Sequence, residues 1–289
     1  MINSIKDLIP KFPLPPSRYP DDGFSITAAE PWFKVKVQVI QSYLQSFVAK
    51  VAGRVDDIVF VDLFAGSGLY SLGHQKEIFS GSCLSALSSG LPITKWIFCE
   101  HDPEELKALK IRVNKYFRGK NVLILEHSPE ELIDKFRMYV PQSKGKYKVA
   151  TLCLVDPFSL AIHFETIRKL ADQGFNFLMP FTFSLNNRLD HKFYLQEQPD
   201  KLGCFIGNVK ELERFSGVDS NAQFYKRLVR IYQSNMLMLG LNTAMSIHKV
   251  DSGLMELPVY YMGFFSRQIS TKSIQQDVQL SEVVQFELF

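Results

Sequence analysis

The stretch VFVDLFAGSGLYS, residues 59–71, decides how this chain is read. An apolar, β-branched run ends on Asp62, and a turn of small residues, Ala65-Gly66-Ser67-Gly68, follows at once. Glycine carries no Cβ, so its backbone can pass close to a ligand, and open α/β sheets bind nucleotides at the carboxyl ends of their strands. Two other glycine-rich turns are excluded. A dinucleotide fingerprint G-x-G-x-x-G would need glycine where Ser71 stands, and a P-loop would need Gly-Lys-Ser/Thr, which is absent.

Outward from this turn, short β-branched runs alternate with longer helical periods. Strands are expected at about 58–62, 96–99, 122–125, 149–155 and 175–181, and helices at 103–116, 129–139 and 164–171. Pro103 and Pro129 stand where a first-turn proline costs nothing. Such alternation predicts a mostly parallel α/β sheet covered on both faces. Upstream, Trp32, Val35, Val39, Ile40, Tyr43, Leu44, Phe47, Val48 and Val51 recur at three and four, a helix with one buried face that ends near Gly53. Downstream, 184–220 is polar and irregular, long enough to be a functional insertion, and 222–239 is helical. Strands at 243–248 and 259–265 follow too closely for a crossover helix, so the sheet is expected to end in an antiparallel hairpin.

Residues 1–30 carry prolines at 10, 13, 15, 16 and 20 and read as an extended N-terminal arm. Residues 31–289 show no repeat and no composition shift, so one domain is expected there. With 46% hydrophobic and 22% charged residues the chain is not disordered, and a net charge of +3 excludes a protein that coats nucleic acid through bulk charge. The cysteines Cys83, Cys99, Cys153 and Cys204 form no CxxC pair. Three lie beside apolar runs (IFCE, TLCLVD, GCFIG), which predicts buried reduced thiols and neither disulfides nor bound metal. The N-terminal stretch has no uninterrupted apolar segment and no window approaches a membrane span, so a cytoplasmic protein without membrane contact is expected.

Two further strand ends carry chemistry. In FCEHD, Glu100 terminates the second strand, where an acid accepts hydrogen bonds from ribose hydroxyls; His101 and Asp102 read as solvated loop and helix-cap residues. In LVDPFS, Asp156 leaves a central strand toward the cleft that the glycine turn also faces, and Pro157 stiffens the turn that presents it. Phe158 offers a stacking face for a base. After the next strand, FTFSLNNR brings Asn186, Asn187 and Arg188 toward the same cleft as substrate contacts.

Together these features resemble the class I S-adenosylmethionine-dependent methyltransferases, and within them the three-Cys-motif partner (TcmP) family. The resemblance runs through residues 36–44 (KVQVIQSYL), VDLFAGSG, the Gly81-Ser82 of SGSCLSAL, FCEHD, VDPF and YYMGFFSRQ. It implies a Rossmann-like fold and S-adenosylmethionine as cofactor. Contacts to that cofactor would come from Asp62, Phe64, Gly66, Ser67 and Gly68, from Glu100 and His101, and from His127 and Ser128 after the third strand. It implies Asp156, Pro157 and Phe158 as the catalytic-strand motif. Val37, Cys83 and Ser159 stand where the family tends to have His, Pro and Gly. His127-Ser128 replaces an acid often found against the adenine amine, and Asp156-Pro157-Phe158 lacks the second proline of base amino-methylating relatives. Basic clusters at 115/118/120, 144/146/148, 188/191/192 and 226/227/230 are compatible with a nucleic-acid substrate. Two expectations result: a methyltransferase acting on nucleic acid, or a non-catalytic module of the same fold that works with a three-Cys-motif partner protein.

Overall fold

The computed structural model describes residues 19–73, 77–157, 159–186, 188–252 and 256–286, with side chains described to residue 279. In chain order the first half holds β1 (Thr27–Ala29), α1 (Trp32–Val51), β2 (Asp57–Asp62), β3 (Leu69–Leu72), β4 (Glu77–Ser80), α2 (Ser82–Ser88), β5 (Lys95–Glu100), α3 (Pro103–Tyr116) and β6 (Val122–Glu126). The second half continues with α4 (Pro129–Leu132), α5 (Phe136–Tyr139), β7 (Val149–Leu154), α6 (Phe164–Asp172), β8 (Asn176–Pro180), α7 (Pro199–Ile206), α8 (Asn221–Met238), β9 (Asn242–Lys249), β10 (Val259–Ser266) and α9 (Thr271–Phe286).

Seven strands form the main sheet in the order β6-β5-β2-β7-β8-β10-β9. The pairs β6–β5, β5–β2, β2–β7 and β7–β8 are parallel, whereas β10 runs antiparallel to both β8 and β9. The mostly parallel sheet and its C-terminal hairpin agree with the expectation. The pattern also explains itself: every residue of β7 is buried, as are five of the six in β2, because parallel strands at the middle of an α/β sheet are covered on both faces. At the edge, β9 alternates instead, burying Ala244, Ser246 and His248 while Ile247 stays exposed. Strand order reverses between β5–β2 on one side and β7–β8 on the other, so the crevice beyond the carboxyl ends of β2 and β7 is the sheet's switch point.

Several local expectations are corrected. The 129–139 helix is broken into α4, a tight 3-10 turn at Ile133–Lys135 and α5, and Phe136 packs edge-on to Phe175 with centroids 6.2 Å apart. The segment read as irregular between 184 and 220 holds a π-helical turn (Phe193–Glu197), α7 and a 3-10 stretch (Val209–Phe215). Its order comes from aromatic packing on α8: Tyr194 stacks on Phe224 at 5.7 Å, Phe215 meets Phe224 at 5.2 Å and Phe205 meets Tyr232 at 5.0 Å. These partners are too far apart in the chain for a local period to show them.

A second, three-stranded sheet β1-β3-β4 was not foreseen; it recruits the end of the proline-rich segment, with Thr27 opposite Tyr70 and Ala29 opposite Leu72. The arm's first eighteen residues lie outside the described residues. Among the cysteines, Cys83, Cys99 and Cys153 are buried thiols, but Cys204 is exposed because α7 turns Leu202, Phe205 and Ile206 inward instead.

Candidate functional site

The glycine turn is held from both sides. Leaving β2, the Leu63 N–H donates to the Leu154 carbonyl at 3.1 Å and the Ala65 N–H to the Cys99 carbonyl at 3.1 Å, so the turn is pegged to β7 and β5. Gly66 (φ +60°) and Gly68 (φ +83°) adopt the left-handed conformation that side chains disfavour. The two glycines have different reasons. A Cβ on Gly68 would lie 2.8 Å from Leu84 Cγ of α2, so that position is needed for packing. Among the described residues a Cβ on Gly66 would meet only Glu105 Oε2, at 3.7 Å, an ordinary contact that leaves room beside the backbone.

Asp62 ends β2 fully buried, with Oδ2 accepting from the Ser82 hydroxyl at 2.7 Å and Oδ1 from the Phe64 N–H at 3.1 Å. Burial raises its pKa from the usual 3.8 to about 7 against the pull of those hydrogen bonds, and the charges of Asp156 and Glu100 add to the rise. Between these two values the folded state holds a proton that the unfolded chain releases. Stability from this group is therefore complete below about pH 4 and is lost as pH rises to about 7, by up to ~4 kcal/mol at 1.36 kcal/mol per unit. Buried His248, its pKa lowered to about 4, pulls the opposite way in both proteins, so the reading is the difference: in urea unfolding from pH 4 to 7 the native chain should lose stability relative to Asp62→Asn, and equal slopes for the two would contradict it.

Glu100, at the end of β5, is 6% exposed and already engaged. Its Oε2 accepts from the Gly66 N–H at 2.8 Å, and its Oε1 from the N–H groups of His101 and Asp102, each at 2.8 Å. A carboxylate offers about four lone-pair directions, which leaves room for one hydroxyl. The acid thus ties the glycine turn to β5. Asp102 caps α3 as expected, accepting from Glu104 and Glu105 N–H.

The remaining expected cofactor contacts lie as follows. His101 and His127 have side chains 73% and 55% exposed, beside Glu100 and Glu131 respectively. The Ser128 hydroxyl is spent on a capping box with Glu131 at the start of α4, a role already written in Ser128-Pro129-Glu130-Glu131. Ser67 is 1% exposed and turns its hydroxyl inward to the Leu69 carbonyl at 3.2 Å. Phe64 is half-buried beside the turn.

Across the crevice, Asp156 follows β7 with its side chain 11% exposed. Lys36 of α1, whose side chain is 2% exposed, reaches it at 2.8 Å (Oδ2) and 3.1 Å (Oδ1), and the Thr182 hydroxyl donates to Oδ1 at 3.1 Å. The Lys36 ammonium also lies 4.5 Å from the Phe33 ring centroid and 5.7 Å from that of Trp32. Both Lys36 and Thr182 escaped sequence reasoning as site residues. The usable signal was a lysine on the buried stripe of α1, where a charge needs a partner. Tyr70, partly exposed on β3, feels the Asp156 charge and stacks on Phe79 at 5.5 Å; burial pushes its phenol well above the usual value and Asp156 adds to the shift.

Pro157 is buried behind this pair, while Phe158 and Asn187 lie outside the described residues. Asn186 builds its own loop, its Oδ1 accepting from Arg188 and Leu189 N–H at 2.9 and 3.0 Å. Arg188 is exposed, whereas His191 is only 9% exposed and bonded to Asn221, which removes it from the basic cluster. Asp62, Glu100 and Asp156 thus stand at or just past the carboxyl ends of three neighbouring strands, close enough for the last two to raise the pKa of the buried first.

No family model matches the chain, and no curated protein matches it. Among solved structures it is similar to protein LPL1258 of Legionella pneumophila, with TM-score 0.50 and 10% identity over 84% of this chain and 89% of that one. It is also similar to an O-methyltransferase from Bacillus cereus in complex with SAH (TM-score 0.44, 7% identity, 79% and 80% covered). An rRNA methylase from Streptococcus thermophilus gives TM-score 0.39 at 13% identity, with 79% and 95% covered. At such identities the likeness shows the fold alone, a mostly parallel α/β sheet covered by helices. Among the described residues no helix is long and apolar enough to cross a membrane, and no His/Cys/Asp/Glu group is arranged to hold a metal ion.

Proposed function

We propose that this protein is an S-adenosylmethionine-dependent methyltransferase. The observation that carries the reading is the backbone at Gly66, free of close side-chain contacts among the described residues and set at the switch point of the sheet with its N–H on the Glu100 carboxylate. Gly66 and Gly68 would let the cofactor lie against the main chain, and Glu100 would accept a ribose hydroxyl with its remaining lone pair. When bound, the sulfonium supplies an electrophilic methyl carbon. The chain's own task is then alignment and proton handling. Asp156, oriented by Lys36 and Thr182, accepts a hydrogen bond from the N–H or O–H of the acceptor.

Calorimetric titration with S-adenosylmethionine and with S-adenosylhomocysteine tests this. Micromolar binding, about 8 kcal/mol, is expected; a folded sample that binds neither would overturn it.

For the acceptor we propose nucleic acid. Supporting it are the exposed cations Arg188, Lys192, Lys226 and Arg230, on or beside the segment that follows β8. In Arg188→Ala/Lys226→Ala, the slope of log affinity against log salt for a single-stranded oligonucleotide should fall by about 1.4, at roughly 0.7 per phosphate contact. An unchanged slope would speak against this surface.

We also propose membership of the three-Cys-motif partner family, with a partner protein bearing that motif. Supporting it, separate pieces of the resemblance pack on one another: Lys36 binds Asp156, Ser82 binds Asp62, and the Gly81 N–H donates to the Gly68 carbonyl at 2.8 Å.

A further inference from the structure

We infer that residues 19–30 form a strap that presets the glycine turn, with Arg112 of α3 as the positioning residue. Arg112 is fully buried. Its Nε and Nη2 donate to the two oxygens of Asp22 at 2.9 and 2.7 Å, and its Nη1 donates both to the Ser25 carbonyl at 2.8 Å and to the Ser67 carbonyl at 2.7 Å. One guanidinium therefore spans the strap and the turn, using the planar fork that lysine lacks.

The effect on the turn follows from peptide geometry. Carbonyl and N–H of a trans peptide point in opposite directions. Drawing the Ser67 carbonyl toward Arg112 turns the Gly68 N–H the other way, so the guanidinium sets where this backbone donor is aimed. Two more contacts reinforce the setting. β1 pairs with β3, the strand the turn runs into, and the Thr27 hydroxyl donates at 3.0 Å to Oε1 of Glu105, whose Oε2 faces Gly66. The strap is itself anchored at both ends, by Tyr19 edge-on to Tyr116 at 5.3 Å and by Glu30, which accepts from Trp32 Nε1 at 2.8 Å and from the Ser252 hydroxyl.

A carboxylate at 22 that neutralises Arg112 is thus a condition for an ordered turn; the consequence for cofactor affinity rests on the reading proposed above. The test uses the full chain with Asp22→Ala, Asp22→Asn and Asp22→Glu. Amide hydrogen exchange at 66–68 should accelerate at least ten-fold in Asp22→Ala, less in Asp22→Asn, and recover in Asp22→Glu, while amides of β7 keep their protection. S-adenosylhomocysteine should bind about ten-fold more weakly in Asp22→Ala. Unchanged exchange at 66–68 in folded Asp22→Ala or Asp22→Asn would overturn the inference. A turn that loosens in a protein that binds no cofactor even in native form would uphold the strap and reject the cofactor.

Discussion

Gly66→Ala and Gly66→Val are expected to weaken S-adenosylhomocysteine binding at least 100-fold, about 2.7 kcal/mol at 1.36 kcal/mol per decade, while the protein stays folded. Among the described residues the new Cβ would meet Glu105 Oε2 alone, at 3.7 Å, so little resists its added volume. A side chain at φ +60° carries a local strain of roughly 1–2 kcal/mol, more for β-branched valine than for alanine, and this lowers stability modestly. Gly68→Ala provides the contrast. Its Cβ would meet Leu84 at 2.8 Å, and that overpacking should cost the fold about 1–3 kcal/mol beyond the strain. Titration calorimetry and thermal melts on the same samples separate the two effects. Retained affinity in folded Gly66→Ala would remove the glycine turn from the cofactor site.

The second large effect concerns Lys36 and Asp156. Either Lys36→Met or Asp156→Ala leaves a buried charge without its counterion, a loss of about 3–5 kcal/mol. The double variant Lys36→Met/Asp156→Leu removes both charges and should regain most of that, short of about 1 kcal/mol for the Thr182 hydroxyl left without its acceptor. Cofactor affinity should survive in the double variant, yet methyl transfer should be absent. Urea unfolding, titration and a labelled-methyl assay read the three quantities independently. If the double variant loses cofactor affinity, Asp156 belongs to the donor side of the crevice; if it retains turnover, Asp156 is not the acceptor's partner.

How far the site was legible depends on sequence distance. The glycine turn, Glu100 and Asp156 were readable because each lies at the end of an apolar run, where a strand must stop and a polar residue meets solvent or ligand. Thr182 lies in the segment from which Asn186 was expected as a contact; the structure gives Thr182 to Asp156 and engages Asn186 Oδ1 within its own loop. Lys36 reaches Asp156 across 120 positions, and Arg112 reaches Asp22 across 90. No periodicity links such partners.

By itself, the sequence determined the order and kind of the main elements, the parallel sheet with its terminal hairpin, and a glycine turn at the carboxyl end of β2. These follow from local quantities: residue size at the turn, apolar period along each element, and the length of the connections. Only the tertiary structure decided the company each charge keeps. A buried ion must find its counterion wherever the fold delivers one, so the pairing of Lys36 with Asp156, the engagement of Glu100 by three backbone N–H groups and the clasp of Arg112 on the strap are properties of packing, set by elements that meet only once the chain has folded.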